Sequence, residues 1–214
     1  MNFIFILIKI SDTRIISMQK VHLRDPNGYT EELKFVLNNL ETLQSGGTCI
    51  AIVPMQSALA QKGKIYELKK QLLQKHTLEA VLSMPGELFF NSDTGVVTCV
   101  MVFTAHKPHP INKETYFGYY KDDGFVKRKI RGRIDAFGKW ESIKSEWVAS
   151  YINRKTKVGF GVNRIVTACD EWCAEAYMET DYSTLSKENF IKTLKSFVFI
   201  NELYLKNNET NTTS

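Results

Sequence analysis

The sequence predicts an α/β fold, a sheet covered by helices, and three observations carry that expectation. Three short apolar runs, Cys49-Ile50-Ala51-Ile52-Val53-Pro54, Leu78-Glu79-Ala80-Val81-Leu82-Ser83-Met84 and Val96-Val97-Thr98-Cys99-Val100-Met101-Val102-Phe103, have the length and near-continuous apolarity of buried strands. Two segments alternate with them, Glu32 to Leu43 and Lys64 to Lys75, and each carries apolar residues at helical spacing. Gly46-Gly47 ends the first of these, where a left-handed cap is sterically free. Helices alternating with buried-type strands build a layered α/β domain.

A chain of 214 residues has room for a sizeable core, and its 43% hydrophobic and 24% charged fractions are ordinary for a globular protein. The net charge of +5 is modest, so local clustering of basic residues says more about partners than the total does. Cys49 and Cys99 lie inside strand-like runs and, with Cys169 and Cys173, make no disulfide ladder, which fits a reducing, cytoplasmic setting. Met1 to Ile10 is apolar but well short of the roughly 20 residues that cross a bilayer. No basic residue precedes it as in a secretion signal, so it is expected to be an edge strand or a non-native start, with no membrane role.

Taken in order, Ser11 to Tyr29 is poorly patterned, and Asp25-Pro26-Asn27-Gly28 is a turn signal before the first helix. In the helix Lys64 to Lys75, Ile65, Leu68, Leu72 and Leu73 fall on one face and the lysines on the other. Pro85 to Gly95 is a loop, and Lys107 to Lys113, with its two prolines, is a loop and a natural subdomain border. Thr115 to Tyr120 reads as an aromatic strand that turns at Asp122-Asp123-Gly124 into Phe125 to Lys129, a hairpin. Trp140 to Asn153 is helical, with Ile143, Trp147 and Tyr151 at four-residue spacing. Lys155 to Asn163 is a basic loop, and Asn163 to Cys169 a short strand. Ser186 to Lys206 is an amphipathic helix with Ser186 as N-cap that closes the fold. The domain plan is an N-terminal segment 1–29, an α/β part 30–106, an α+β extension 107–206 and a polar tail 207–214.

Two features bear on chemistry. Lys127, Arg128, Lys129, Arg131 and Arg133 place five cations within seven residues beside Tyr116, Phe117, Tyr119, Tyr120 and Phe125. Such a cluster can hold a phosphate backbone without reading its sequence, or can be a solvated edge that discourages sheet aggregation. By contrast, the pairs His106 with His109 and Cys169 with Cys173 lack the spacing of a four-donor zinc site, and no metal is expected.

The ordered set of helix, Gly46-Gly47, Cys49 to Pro54, helix, Leu78 to Pro85, Leu88-Phe89-Phe90 and Val97 to Phe103 resembles the C-terminal half of an adenine-N6 DNA methyltransferase catalytic domain. Such domains occur in the modification subunits of type I restriction-modification systems. The resemblance implies a partial class I methyltransferase-like, mostly parallel sheet with an antiparallel last strand, plus a smaller α+β C-terminal extension. The three runs would be the fifth, sixth and seventh strands of that sheet. It implies methyl transfer from S-adenosylmethionine to adenine in DNA, and Phe89 and Phe90 as the aromatic pair that stacks on the extruded base. One of the two rings packing under the loop is the competing reading. The family's F-x-G-x-G cofactor turn and N-P-P-Y or N-P-P-F adenine grip are not in the sequence; Asp25-Pro26-Asn27-Gly28 is the nearest match to the second. No catalytic residue is therefore assigned. The chain alone is expected neither to bind S-adenosylmethionine nor to be active, as a truncated or frame-shifted product would be. DNA is the expected partner, with a specificity or restriction subunit, or a chain that supplies the cofactor-binding half. The alternative is a non-enzymatic nucleic-acid-binding or assembly module that uses the basic cluster.

Overall fold

The computed structural model describes residues 2–10, 14–23, 31–86, 88, 96–129, 131–180, 182 and 185–210, and side chains within 32–201. It divides into two compact units, Met1–Glu179 and Thr180–Ser214.

In the first unit, helix α1 (Glu31–Thr42) leads through Gly46, whose φ of +82° suits a residue without Cβ, into strand β3 (Thr48–Pro54). The single turn α2 (Gln56–Leu59) and helix α3 (Gly63–Lys75) follow, then β4 (Thr77–Ser83) and β5 (Thr98–Thr104). All three predicted strands and both helices are therefore present within a few residues of their expected bounds. Strand β5 lies between β3 and β4 and runs antiparallel to both, so β3 and β4 point the same way without touching. This is the reversed last strand that the resemblance implied.

Six further strands complete the architecture among the described residues. Strands β1 (Asn2–Ile10), β2 (Arg14–Leu23), β6 (Glu114–Tyr119) and β9 (Gly161–Ile165) extend the sheet to seven strands in the order β2-β1-β3-β5-β4-β6-β9. Strand β6 runs parallel to β4, and β9 antiparallel to β6. Strands β7 (Val126–Arg128) and β8 (Gly132–Ile134) form a separate two-stranded hairpin, and α4 (Trp140–Ile152) follows it.

Alternation along the strands sends side chains to two cores. Cys49, Ala51, Val53, Cys99, Met101, Phe103 and Phe117 face Leu33, Val36, Leu40 and Leu72 of the first two long helices, together with Trp172, Cys173 and Ala174. Ile50, Val100, Val102, Ala80, Leu82 and Tyr116 join the opposite cluster with Ile143, Trp147 and Tyr151 of α4. Covering both faces explains why these strands read as near-continuous apolar runs.

Several expectations are corrected. Met1 to Ile10 is not an edge strand: β1 pairs with β2 on one side and β3 on the other, and β2 takes the edge. The aromatic strand does not hairpin onto Phe125–Lys129. Tyr116 and Phe117 are fully buried on opposite faces, so β6 sits inside the main sheet, and Val126–Arg128 pairs with Gly132–Ile134 instead. The strand placed at Asn163 to Cys169 begins at Gly161 and ends at Ile165, because Asp170 Oδ2 takes the Thr167 N–H and hydroxyl in a turn. Lys69 is not on the solvent face of α3 but fully buried. The final helix, α5 (Lys187–Thr210), starts as expected, with Ser186 Oγ accepting the Asn189 N–H at 3.2 Å. It belongs to the second unit.

Candidate nucleic-acid interface

Strand direction brings several chain ends to one edge of the sheet. Pro54 closes β3, Ser83 closes β4 and Tyr119 closes β6, while Thr98 opens β5 between them. Backbone bonds lock this edge: Met55 N–H to Val97 O at 2.9 Å, Met84 N–H to Thr98 O at 3.1 Å and Tyr120 N–H to Ser83 O at 2.9 Å. In open α/β sheets, the carboxyl ends of parallel strands are where ligands bind.

A polar network lies on the same edge. Ser83 is fully buried, and its hydroxyl donates to Glu175 Oε2 at 2.5 Å; Lys121 Nζ reaches Glu175 Oε1 at 3.2 Å. Glu175 lies in a short 3-10 turn, Ala174–Ala176, held by the buried Trp172, Cys173 and Ala174 just before it. Three segments distant in sequence thus meet at the start of the Pro85–Gly95 loop. Phe89 and Phe90, the candidate base-stacking pair, fall outside the described residues, as does Asp25-Pro26-Asn27-Gly28.

The same 166–174 segment is fastened by Lys69. Its ammonium donates to three carbonyls, Ala58 O at 3.1 Å, Ala60 O at 2.9 Å and Asp170 O at 2.6 Å. Burial pushes the amine down to about 8, with the Asp170 carboxylate pulling the other way. Nothing in the local sequence marks Lys69 apart from the other lysines of the helix; its partners at Asp170 and Trp172 lie about a hundred positions away.

The basic cluster sits on the β7–β8 hairpin and divides by role. Lys127, Arg128, Lys129 and Arg131 are exposed, and the last three form no ion pair among the described residues. Arg133 is different: its side chain is 14% exposed, and Nη2 lies 2.7 Å from Asp123 Oδ1. The same oxygen accepts the Phe125 N–H at 3.0 Å, and the guanidinium lies 5.7 Å from the Phe125 ring. Asp123 therefore serves as an anchor for the hairpin rather than as a turn residue alone.

An aromatic chain connects hairpin and sheet. Phe125 meets Trp140 edge-on at 5.7 Å, Trp140 meets Trp147 at 5.5 Å, and Trp147 stacks on Tyr120 at 4.8 Å, one residue beyond the end of β6. Tyr120 also donates its hydroxyl to Trp147 O at 2.8 Å, and burial raises that phenol's pKa. Rigid aromatic contacts of this kind fix a cationic edge in place, and a fixed edge can hold a phosphate backbone.

The family model described as N-6 DNA Methylase matches residues 10–198, most of the chain. The chain belongs to the N-6 DNA methylase family. It is 31% identical over 176 residues to the type II restriction enzyme and methyltransferase RM.BcgI of Heyndrickxia coagulans, covering 81% of this chain and 27% of that protein. It is 30% identical over 103 residues to the type I restriction enzyme MpnII methylase subunit of Mycoplasma pneumoniae, covering 48% of this chain and 18% of the relative. The chain thus spans about a quarter or less of these relatives. Among solved structures, it resembles one from a study of complex assembly and conformational transition in the type I restriction-modification system, with TM-score 0.53 and 19% identity over 85% of this chain and 38% of the other. The methyltransferase subunit of the type I system of Streptococcus thermophilus matches with TM-score 0.50 and 20% identity, covering 62% of this chain and 26% of that one. These structural likenesses establish the methyltransferase-like fold of this N-6 DNA methylase family member. No helix among the described residues is long and apolar enough to cross a membrane.

Proposed function

We propose that this chain forms the DNA-facing part of an adenine-N6 DNA methyltransferase of a restriction-modification system. The reaction would move a methyl group from S-adenosylmethionine to the amino nitrogen of adenine. The observation that carries the reading is the basic hairpin tied by a chain of packed aromatic rings to the carboxyl edge of the sheet, in a chain of this family. Arg128, Lys129 and Arg131, with Lys127, contact the phosphate backbone, while Arg133 holds the hairpin through Asp123. A specificity or restriction subunit, or a chain carrying a cofactor-binding half, is the protein partner.

The residues present do not fit S-adenosylmethionine. The F-x-G-x-G turn, which in the family follows the first strand and lets the backbone approach the cofactor, is not in the sequence, and β3 and β4, which the resemblance makes the fifth and sixth strands, end in Pro54-Met55 and Met84-Pro85-Gly86. No step through the cofactor is assigned to this chain, and alone it is inactive. Calorimetry of the purified chain with S-adenosylmethionine should show no saturable heat; micromolar saturable binding would overturn this part of the proposal.

Phe89 and Phe90 are assigned the stacking face for the extruded adenine. In the sequence they come a few residues after Ser83, which lies at the edge that Glu175 and Lys121 brace. An enzyme acting on an adenine amino group must unstack the base, and an aromatic face returns roughly 1 to 3 kcal/mol per base. In an assembly with methylating activity, Phe89→Ala or Phe90→Ala should lower methylation of a paired adenine more than of a mismatched one, which costs less to extrude. Equal losses on both substrates would leave the pair as packing.

A further inference from the structure

A cleft of about 330 Å³ lies beside the edge strand β9, away from the basic hairpin in sequence and unused by the reading above. Its walls are the turn that precedes β9 and the segment Tyr177–Glu179, joined where the Gly159 N–H donates to Glu179 O at 3.2 Å. Two cations line it, Lys157 and Arg164, with one acid, Glu179, and with Tyr177 and Met178 as apolar surface. Arg164 is exposed and forms no ion pair among the described residues, and Lys157, also exposed, lies 3.5 Å from Glu146 Oε1 and 5.4 Å from the centre of the Phe160 ring. Tyr177 is held from behind by Phe117, ring centroids 5.1 Å apart, so its place in the cleft is set by the main core.

From these residues we infer a binding site for one nucleoside 5′-monophosphate group. The guanidinium of Arg164 presents a planar fork suited to two phosphate oxygens, and the Lys157 ammonium adds a point charge. Tyr177 and Met178 offer a ring and a polarizable thioether to a base. Glu179 accepts hydrogen bonds from an amino group or sugar hydroxyl and, being negative, disfavours further phosphates on the same ligand. The volume is at the small end for ligand sites, which suits one nucleotide unit. A free mononucleotide and the 5′-phosphorylated end of a DNA strand share this chemistry.

The test is calorimetry on the full chain with dAMP, deoxyadenosine and inorganic phosphate. It is repeated with a short single-stranded oligonucleotide, with and without a 5′-phosphate, in the Arg128→Ala/Lys129→Ala/Arg131→Ala background that removes hairpin binding. Saturable binding of dAMP, tighter than that of phosphate or deoxyadenosine, is expected, and Arg164→Ala should weaken it by about tenfold or more, the scale of one charge-assisted contact. Lys157→Ala should weaken it as well, and unchanged melting temperatures show that both variants are folded. A preference for the phosphorylated oligonucleotide over dAMP would name the DNA end as the source, and the reverse would name the free nucleotide. No saturable heat with any probe, equal affinity for phosphate and dAMP, or an Arg164→Ala variant that binds normally would overturn the site. Hairpin-dependent DNA binding of the unmodified chain is read separately from its salt dependence, so failure here is distinct from failure of the methyltransferase reading.

Discussion

The Lys69 ammonium lies 4.6 Å from the centre of the Trp172 ring, and the Trp172 N–H shares the Ala58 carbonyl with it. One cation thereby binds the turn after β3 to the segment that carries Glu175. Replacing it by methionine keeps the apolar stem but leaves the Ala60 and Asp170 carbonyls without the ammonium donor. Lys69→Met should lower unfolding free energy by about 1 to 3 kcal/mol, the cost of buried acceptors left unmade less the relief of a buried charge. Urea denaturation measures it, and an unchanged midpoint would mean that water replaces the ammonium.

The same lysine should leave a signature in alkaline solution. Its folded pKa is pushed down to about 8 from an ordinary 10.5, so between those values the unfolded chain binds more protons than the folded one. Its contribution therefore grows more favourable as pH rises from about 8 toward 10.5. Other groups titrate in that range, so the measurement is the difference between wild type and Lys69→Met, which should widen with pH in favour of wild type. A constant difference would place the titration elsewhere.

His76 predicts the acid limb. It is fully buried, its Nδ1 accepts the His106 N–H at 3.0 Å, and burial lowers its pKa below the usual 6.5. Glu41 pulls the other way, while His106 and Lys75 reinforce the lowering. A protonated Nδ1 cannot accept that hydrogen bond. Stability that is present above pH 6.5 should be lost as pH falls through the lower folded value, and His76→Gln should flatten that decline. Melting curves across pH 7 to 5 would show it, and parallel curves for the two proteins would exclude His76 as the cause.

For the hairpin, DNA binding should be weak, independent of sequence and steeply dependent on salt. Removing Arg128, Lys129 and Arg131 together should reduce the slope of log affinity against log salt by about 2 to 3, at roughly 0.9 per phosphate contact. Arg133→Ala should act differently, loosening the hairpin by breaking its buried pair with Asp123, and so lowering stability as well as affinity. Fluorescence anisotropy at several salt concentrations separates the two, and an unchanged slope in the triple variant would leave the cluster as a solvated edge.

The part of the fold most legible in the sequence is the stretch buried on both faces. Cys49 to Pro54 and Thr98 to Phe103 are strands packed on both faces, which their near-continuous apolarity announces, and Gly46 marks the turn between helix and strand by its conformation. What was hidden depends on distant partners. Asp122-Asp123-Gly124 has the residues of a hairpin turn, yet Asp123 is spent on Arg133 ten positions later, and the strand before it pairs with β4 and β9. Lys69 reads as one more surface lysine because the carbonyl that buries it belongs to Asp170. Of the candidate site, the basic cluster was visible as charge, but the separate role of Arg133 was not, and Glu175 had no local signal at all.

Placing β5 between β3 and β4 has a consequence for how the chain is made. Both outer strands leave the ribosome before the strand that joins them, so each waits with an unpaired edge until residue 104 has emerged. Unpaired apolar edges recruit other chains, and pairings that close over long sequence separations form slowly. Nascent chains from which Ser83 but not Thr104 has emerged should therefore be the most aggregation-prone intermediates in the synthesis of this sheet.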